Sequence, residues 1–286
     1  MTETVLASLV DGLLLGFVYG LAAMGLALIW GVMNVINLSH GPIIALGMFG
    51  VYFAFSSLGL HPYLALPLVA VLGLIFGVMI YGVAVHRVLN APHLSTLLAT
   101  FAVNMIIIGI ATAALSTTPR NVDFSLGSTS LGRVTILWSR VAAAVATIVV
   151  TALLYLFLYR TRPGKHIRAV TDNRGAAELM GIASYRTLAL SFGLGTMLAA
   201  VAGGVIATLF PINILAGGAY ELKSFVIGVL GGLGNPLGAL IGGLILGMLE
   251  GVITSFLPPT WVPVLEFGLF VLILLIRPTG ILGVRR

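Results

Sequence analysis

Leu222–Phe256 reads LKSFVIGVLGGLGNPLGALIGGLILGMLEGVITSF. It is too long for one membrane span of ~20 residues, and Gly231, Gly232, Gly234, Asn235 and Pro236 interrupt it. Proline lacks an N–H and clashes with the preceding turn, and glycine tolerates non-helical dihedrals. The stretch therefore reads as a part-helix at 222–232, a break, and a helix at 237–256.

Seven further apolar segments lie around it, at about 7–30, 41–57, 63–85, 96–116, 138–159, 188–211 and 262–277. Hydrophobic residues make up 59% of the chain and charged residues 8%, against roughly 25% charged in soluble domains. The fold class expected is an all-α polytopic membrane protein of about eight transmembrane or part-spanning helices, one of them broken and Gly-rich. Residues 1–286 form a single transmembrane domain in this reading. A β-barrel is excluded because the runs are continuous and do not alternate.

The net charge of +6 reads as loop charge that sets orientation, not as a nucleic-acid footprint. The chain has no cysteine, which excludes disulfides and thiolate chemistry. The N-terminal MTETVLASLVDG lacks the basic region of a cleavable signal peptide, so the first helix is expected to be retained.

Residues 160–186 hold six of the fourteen Lys and Arg residues and two of the eight acidic ones. This loop is expected inside the cell, as is the C-terminal RPTGILGVRR with Arg277, Arg285 and Arg286. Counting back places His86 and Arg87 inside, and 117–137 and the N-terminus outside. Arg120, Arg133 and Lys223 then fall on or near the outer side.

A helix followed by a broken turn occurs early (7–30, then NVINLSHG at 34–41) and again late (188–211, then the 231–236 break). Such pairs of interrupted segments are the pattern expected near a transporter's pathway. Small residues recur at four-residue spacing at Gly12/Gly16/Gly20, Gly73/Gly77, Ala199/Gly203, Gly238/Gly242 and Gly243/Gly247/Gly251. Either these rows pack within the chain's own bundle, or the 238–251 row faces a partner subunit.

No phosphate loop is present: Lys165 is followed by His, and Lys223 is preceded by Leu. Neither His-Glu-x-x-His nor Gly-x-Ser-x-Gly occurs, and the five histidines lack ligand spacing. No catalytic or metal site is expected. Asp11, Asn104, Glu250 and Glu266 lie in or beside apolar segments and read as interfacial or interhelical hydrogen-bonding groups rather than ion relays. The cluster Asn34, Asn37, Ser39, His40 either lines a pathway or caps the next helix, with Ser39 as N-cap and Pro42 in the first turn. Asn34, Asn37 and His40 with Gly231, Gly232, Gly234 and Asn235 form the candidate translocation path.

In the charged loop, Arg162-Pro163-Gly164 is expected to end the preceding helix. Lys165–Thr171 can form a short helix, Asp172 or Asn173 can cap a second one, RGAAELMG, and Gly181 stops it. Ala176, Ala177, Leu179 and Met180 give that turn a small, partly apolar face of the kind that marks a protein contact.

Thr161-Arg162-x-Gly164-x-x-x-Arg168-Ala169-x-x-x-Asn173-x-x-Ala176-Ala177-x-x-x-Gly181-Ile182 resembles the cytoplasmic signature of branched-chain amino-acid ABC transporter permeases. The resemblance extends to Asn34-Val-x-Asn37-x-x-His40-Gly41 and to Gly228-x-x-Gly231-Gly232-x-Gly234-x-x-x-Gly238-Ala239. The ending Arg277-Pro278-x-Gly280-x-x-Gly283 also fits. Together these motifs cover nearly the whole chain, which is similar to the shorter of that system's two permease types.

The resemblance implies a coupling helix at 164–181 that docks on a cytoplasmic ATPase through Gly164, Arg168, Ala169, Asn173, Ala176, Ala177 and Gly181. Ala176 and Ala177 would let it lie close against the ATPase, and Arg168 and Asn173 would hold the loop's fold or pair with that subunit. It implies a second, related permease subunit, a periplasmic or extracellular solute-binding protein, and multi-pass residence among the lipids of a bacterial inner membrane. ATP and Mg would bind the partner ATPase and not this chain. Leucine, isoleucine and valine are the solutes implied, although related systems carry other amino acids, urea, amides and small carboxylates. A self-contained ion-coupled transporter is the alternative, disfavoured by the scarcity of mid-helix carboxylates. An intramembrane enzyme is disfavoured by the absence of nucleophilic or metal chemistry.

Overall fold

The structure, a computed structural model, describes residues 2–131, 134–277 and 280–282. Arg133, Pro278, Gly283, Arg285 and Arg286, which entered the orientation and motif readings, lie outside the described residues. The chain runs α1 (Thr2–Met33), α2 (His40–Leu58) and α3 (Pro62–Ile80). A π-helical turn (Tyr81–Val85) carries α3 into the single turn α4 (His86–Val88), and α5 (His93–Leu115) follows. Strands β1 (Ser128–Leu131) and β2 (Val134–Leu137) then lead to α6 (Trp138–Arg160), α7 (Arg162–Asp172) and α8 (Arg174–Leu179). The last elements are α9 (Ser184–Ile206), α10 (Ala216–Gly231), α11 (Pro236–Phe256), a 3-10 turn (Pro259–Trp261) and α12 (Val262–Ile276).

Among the described residues, eight helices are long and apolar enough to cross a membrane. They follow the eight apolar segments, the seventh being split into α10 and the spanning α11. Helix α10 is the expected part-helix, but it begins at Ala216, about six residues before the start expected at 222. Glycine and polar residues in its first turns lower the hydropathy there without opposing the helix. Segment 117–137 is not wholly irregular. It carries an antiparallel hairpin pairing Ser128 with Leu137 and Thr129 with Ile136, and Arg120 pairs through its backbone with Ile212.

Helices α1 and α9 form the centre. Their most apolar windows are 78% and 89% buried, against 17% for α5 and 11% for α12. Where two helices meet at backbone distance, glycine is required. A Cβ on Gly12 would strike the Gly247 carbonyl, one on Gly16 would lie 2.7 Å from the Gly243 oxygen, and one on Gly251 would strike the Ser8 carbonyl. The rows 12/16/20 and 243/247/251 therefore pack on each other, α1 against α11, while Gly238 and Gly242 face α10. Packing within the chain's own bundle accounts for this row, and the reading that it faces a partner subunit is set aside.

The two ends of the bundle are distinct. Gly31–Met33 of α1 and the following Asn34 line a cavity of about 260 Å³ together with Leu89, Val170–Arg174 and Leu188, so α7 and α8 lie under the end of α1. At the opposite end, the Tyr63 hydroxyl reaches the Ser139 carbonyl and Thr208 (3.1 and 3.4 Å).

Candidate functional site

At the first end, the Thr161 hydroxyl donates to the Phe157 carbonyl (2.7 Å) and accepts from Gly164 N (3.1 Å). Thr161 thereby closes α6 and caps α7 at once. Pro163 sits in the first turn of α7, where its missing N–H costs nothing. The preceding helix ends at Arg160, as expected of this motif, but Arg162-Pro163-Gly164 also forms the opening turn of α7, which starts three residues before the expected Lys165. Gly164 is buried, and a Cβ there would come within 2.6 Å of Leu158 Cα, so only glycine lets α7 fold back on α6. Gly164, Ile167 and Val170 form the buried stripe of α7.

Arg168 Nε donates to the Leu158 carbonyl (3.2 Å), and its guanidinium lies 4.3 Å from the Tyr159 ring centroid. Of its two expected uses, holding the loop's own fold is the one realised in this conformation. Ala169 is half-buried, and its carbonyl accepts from Asn173 N (3.0 Å). Asn173 ends α7 and caps α8 through Oδ1, which accepts from Ala176 N (3.0 Å). Gly181 takes a φ of +82° that closes α8.

Ala176 is exposed, as expected. Ala177 is not: it is 5% exposed and its carbonyl accepts from Ile182 N. It therefore packs inward: each helical residue is turned by ~100° from the one before it, so Ala176 and Ala177 do not share a direction. Leu179 and Met180 instead form the exposed apolar tip, at 90% and 83%.

The early cluster is placed differently from expectation. Asn34 closes α1 with a φ of +53°, and the chain then turns back along that helix. His40 Nε2 donates to the Ala22 carbonyl (2.9 Å), twelve helical residues above Asn34, or ~18 Å. The connector climbs along α1 and ends in a turn closed by His40 N–H on the Asn37 carbonyl (3.2 Å). Helix α2 therefore starts within the bundle and not at its edge. His40 lies beside Gly25, which meets Gly195, the central residue of α9.

Ser39 occupies the cap position but makes no cap bond. Its hydroxyl donates to Asn37 Oδ1 (2.6 Å), as does its N–H (3.1 Å). The N-terminus of α2 is satisfied instead by a residue 180 positions away: Gly41 N donates to Glu221 Oε2 (3.2 Å). Asn37 and His40 are each at most 1% exposed, with Asn37 Nδ2 and His40 Nδ1 unpartnered.

Helix α10 also starts inside the bundle, and its first turn meets that of α2. A Cβ on Gly41 or on Gly217 would strike the other's carbonyl. The counterpart of NVINLSHG is therefore the 207–215 connector and not the 231–236 break, because a connector that leads to a helix starting inside the bundle is what recurs.

The break itself is a packing joint. Gly232 and Gly234 have φ of +107° and +88°, and Asn235 Oδ1 caps α11 at Gly238 N (3.1 Å). Gly231 packs on Gly238, and the C-terminal segment covers both through Ile281 N to Leu230 O (2.8 Å) and Leu282 N to Gly231 O (3.2 Å). Gly234 touches Gly31, nine residues or ~14 Å along α1 from Ala22. The structure thus keeps Gly231, Gly232, Gly234 and Asn235 apart from Asn37 and His40, so the seven residues do not form one lining here.

Lys223, expected near the outer edge, points into the bundle. Its Nζ lies 2.6 Å from Glu250 Oε2, 3.1 Å from Glu266 Oε1 and 4.2 Å from the Tyr19 ring centroid. Glu250 and Glu266 are therefore interhelical partners, joining α10 to α11 and α12. Asp11 pairs with Arg140, tying α1 to α6. Glu221 lies one residue outside the apolar segment 222–256 and is not among the residues expected at the path. An acidic residue in YELKSF, between two apolar runs, was the signal available.

The family described as "Branched-chain amino acid transport system / permease component" matches residues 8–274. The high-affinity branched-chain amino acid transport system permease protein BraD of Pseudomonas aeruginosa is 30% identical, over 97% of this chain and 95% of its own length. The corresponding LivH protein of Escherichia coli K12 is 31% identical over the same shares. The fructose import permease protein FruG of Bifidobacterium longum is 28% identical over 87% of this chain and 76% of its own. No solved structure matches.

Proposed function

We propose, from the premise that this chain belongs to the permease family of branched-chain amino acid transport systems, that it is the membrane-spanning subunit of an ATP-driven importer of branched-chain amino acids. Named relatives across nearly the full length support the solute class, and the fructose permease marks how far the wider similarity extends.

The observation that carries the reading is the α7–α8 element. It is anchored at both ends of its own chain, by Arg168 on the end of α6 and by the turn at Gly181 leading into α9, and it projects Leu179 and Met180 outward. A capped, anchored element with an exposed apolar tip transmits a push, which a loop serving only to hold charge would not. The partner in this reading is a cytoplasmic ATPase subunit that binds ATP and Mg, since the chain has no phosphate loop of its own. In this reading the α7–α8 end and the C-terminus lie in the cytoplasm and the N-terminus outside. ATP-driven closure of the ATPase favours one arrangement of the helices over another, and energy enters as that difference in binding. A second, related permease subunit and an external solute-binding protein complete the assembly, and the chain itself is non-catalytic.

The test is co-purification followed by reconstitution. A tagged chain should bring down an ATPase subunit, and proteoliposomes holding the whole complex should accumulate leucine only with ATP and binding protein. Uptake by the chain alone, driven by an ion gradient, would replace this reading with that of a secondary transporter.

A further inference from the structure

We infer that Glu221 is a solute-contacting, specificity-determining carboxylate of the translocation path, where it receives the protonated amine of an amino-acid solute. The inference rests on the importer reading above and deepens it.

Depth comes first. Glu221 reaches the start of α2 at Gly41, beside His40, whose ring is held at Ala22. Its neighbours Tyr220 and Lys223 lie against Tyr19, close to the midpoint of the 32-residue α1. The carboxylate therefore sits at mid-depth among helices that span.

Its bonding comes second. An ionisable side chain at such depth is rare unless it pairs or faces water. Among the described residues no cation pairs with Glu221. Lys223, two positions on, is turned to Glu250 and Glu266. The partner Glu221 does have is a neutral backbone N–H, which engages Oε2 and leaves Oε1 for another donor.

The face it occupies comes third. Glu221 is half-buried, and Gly218, Ala219 and Leu222 around it are exposed. Positions 218, 221, 222 and 225 share one side of a helix. A carboxylate on this side is incompatible with hydrocarbon, so the face looks onto water or protein. Gly218 leaves room beside the carboxylate, and Leu222 and Phe225 offer apolar contact next to it. An amine bound at one point with an aliphatic side chain beside it is the shape of a branched-chain amino acid.

The chain contains no cysteine, so Glu221→Cys introduces its sole thiol. In the assembled complex in proteoliposomes, a charged, water-soluble methanethiosulfonate should modify this thiol, and leucine-loaded binding protein with ATP should slow the modification. Leu72→Cys, at a position 56% exposed on α3, should stay unmodified as the lipid-facing control. Glu221→Gln keeps an acceptor for Gly41 N–H but loses the charge. It should lower leucine uptake about tenfold or more, as expected when a charge-assisted bond is lost, with ATPase assembly unchanged and partial recovery in Glu221→Asp.

A thiol never reached in any nucleotide state would make this face a buried contact with the second permease subunit and overturn the proposal. Wild-type uptake by Glu221→Gln would overturn it equally, as would a loss of assembly matching the loss of uptake. Failure of the wild-type complex to take up leucine would instead remove the importer reading beneath it.

Discussion

The guanidinium of Arg168 lies over the ring of Tyr159 while its Nε holds the Leu158 carbonyl, so one side chain clamps α7 to the last turn of α6. The contact uses an otherwise unpaired carbonyl at a helix C-terminus, where a cation is also favoured. Any force applied to α7 therefore reaches a spanning helix directly.

Arg168→Ala is expected to loosen that clamp by about 2–4 kcal/mol, the sum of a modest cation–π contact and one charged hydrogen bond. In the reconstituted complex, ATP hydrolysis should continue while solute moved per ATP falls. An unchanged transport-to-hydrolysis ratio would remove Arg168 from the coupling path.

The exposed tip and the buried alanine of α8 should respond differently. A Leu179→Glu/Met180→Glu double variant should insert normally but fail to retain the ATPase on affinity purification. Ala177→Glu buries a charge inside the element and should make α8 itself sensitive to limited proteolysis before any partner is added. Matching behaviour of the two variants would contradict the inward placement of Ala177.

Lys223→Met leaves the carboxylates of Glu250 and Glu266 facing each other without their shared cation. Breaking a buried pair by removing one partner typically costs ~3–5 kcal/mol. The melting temperature of the detergent-purified protein should fall, and adding Glu266→Gln should restore part of it. A double variant no more stable than Lys223→Met would show that the triad is not an energetic unit.

Gly247→Val should be poorly tolerated, because any Cβ there meets the Gly12 carbonyl and Gly16. Overpacking typically costs ~1–3 kcal/mol, and here the obstruction is backbone, which cannot rotate away. Gly109→Val on α5, where the space is open, is the control. Its melting temperature should stay near wild type while that of Gly247→Val drops.

The number of spans, the break between α10 and α11 and the limits of the docking element were legible because each is a property of a short stretch. Hydropathy over twenty residues, a Gly-Gly-x-Gly-Asn-Pro run and a Thr or Asn before a helix act locally. Position within the bundle was not legible. Asn37 and His40 read as an edge turn because nothing local shows that the chain folds back along α1. Ala177 read as exposed because Ala176 is.

The sequence by itself determined that this is a polytopic helical membrane protein with one broken span and a capped element between two spans, and its motifs pointed to the permease family. Only the tertiary structure decided that Gly243, Gly247 and Gly251 serve α1, that Lys223 gathers Glu250 and Glu266, and that Glu221 reaches Gly41. The physical reason is range. Helix formation and membrane insertion depend on neighbours within a few turns, whereas Glu221 meets a backbone N–H 180 residues away only once the first turns of α2 and α10 have been brought to the same point inside the bundle.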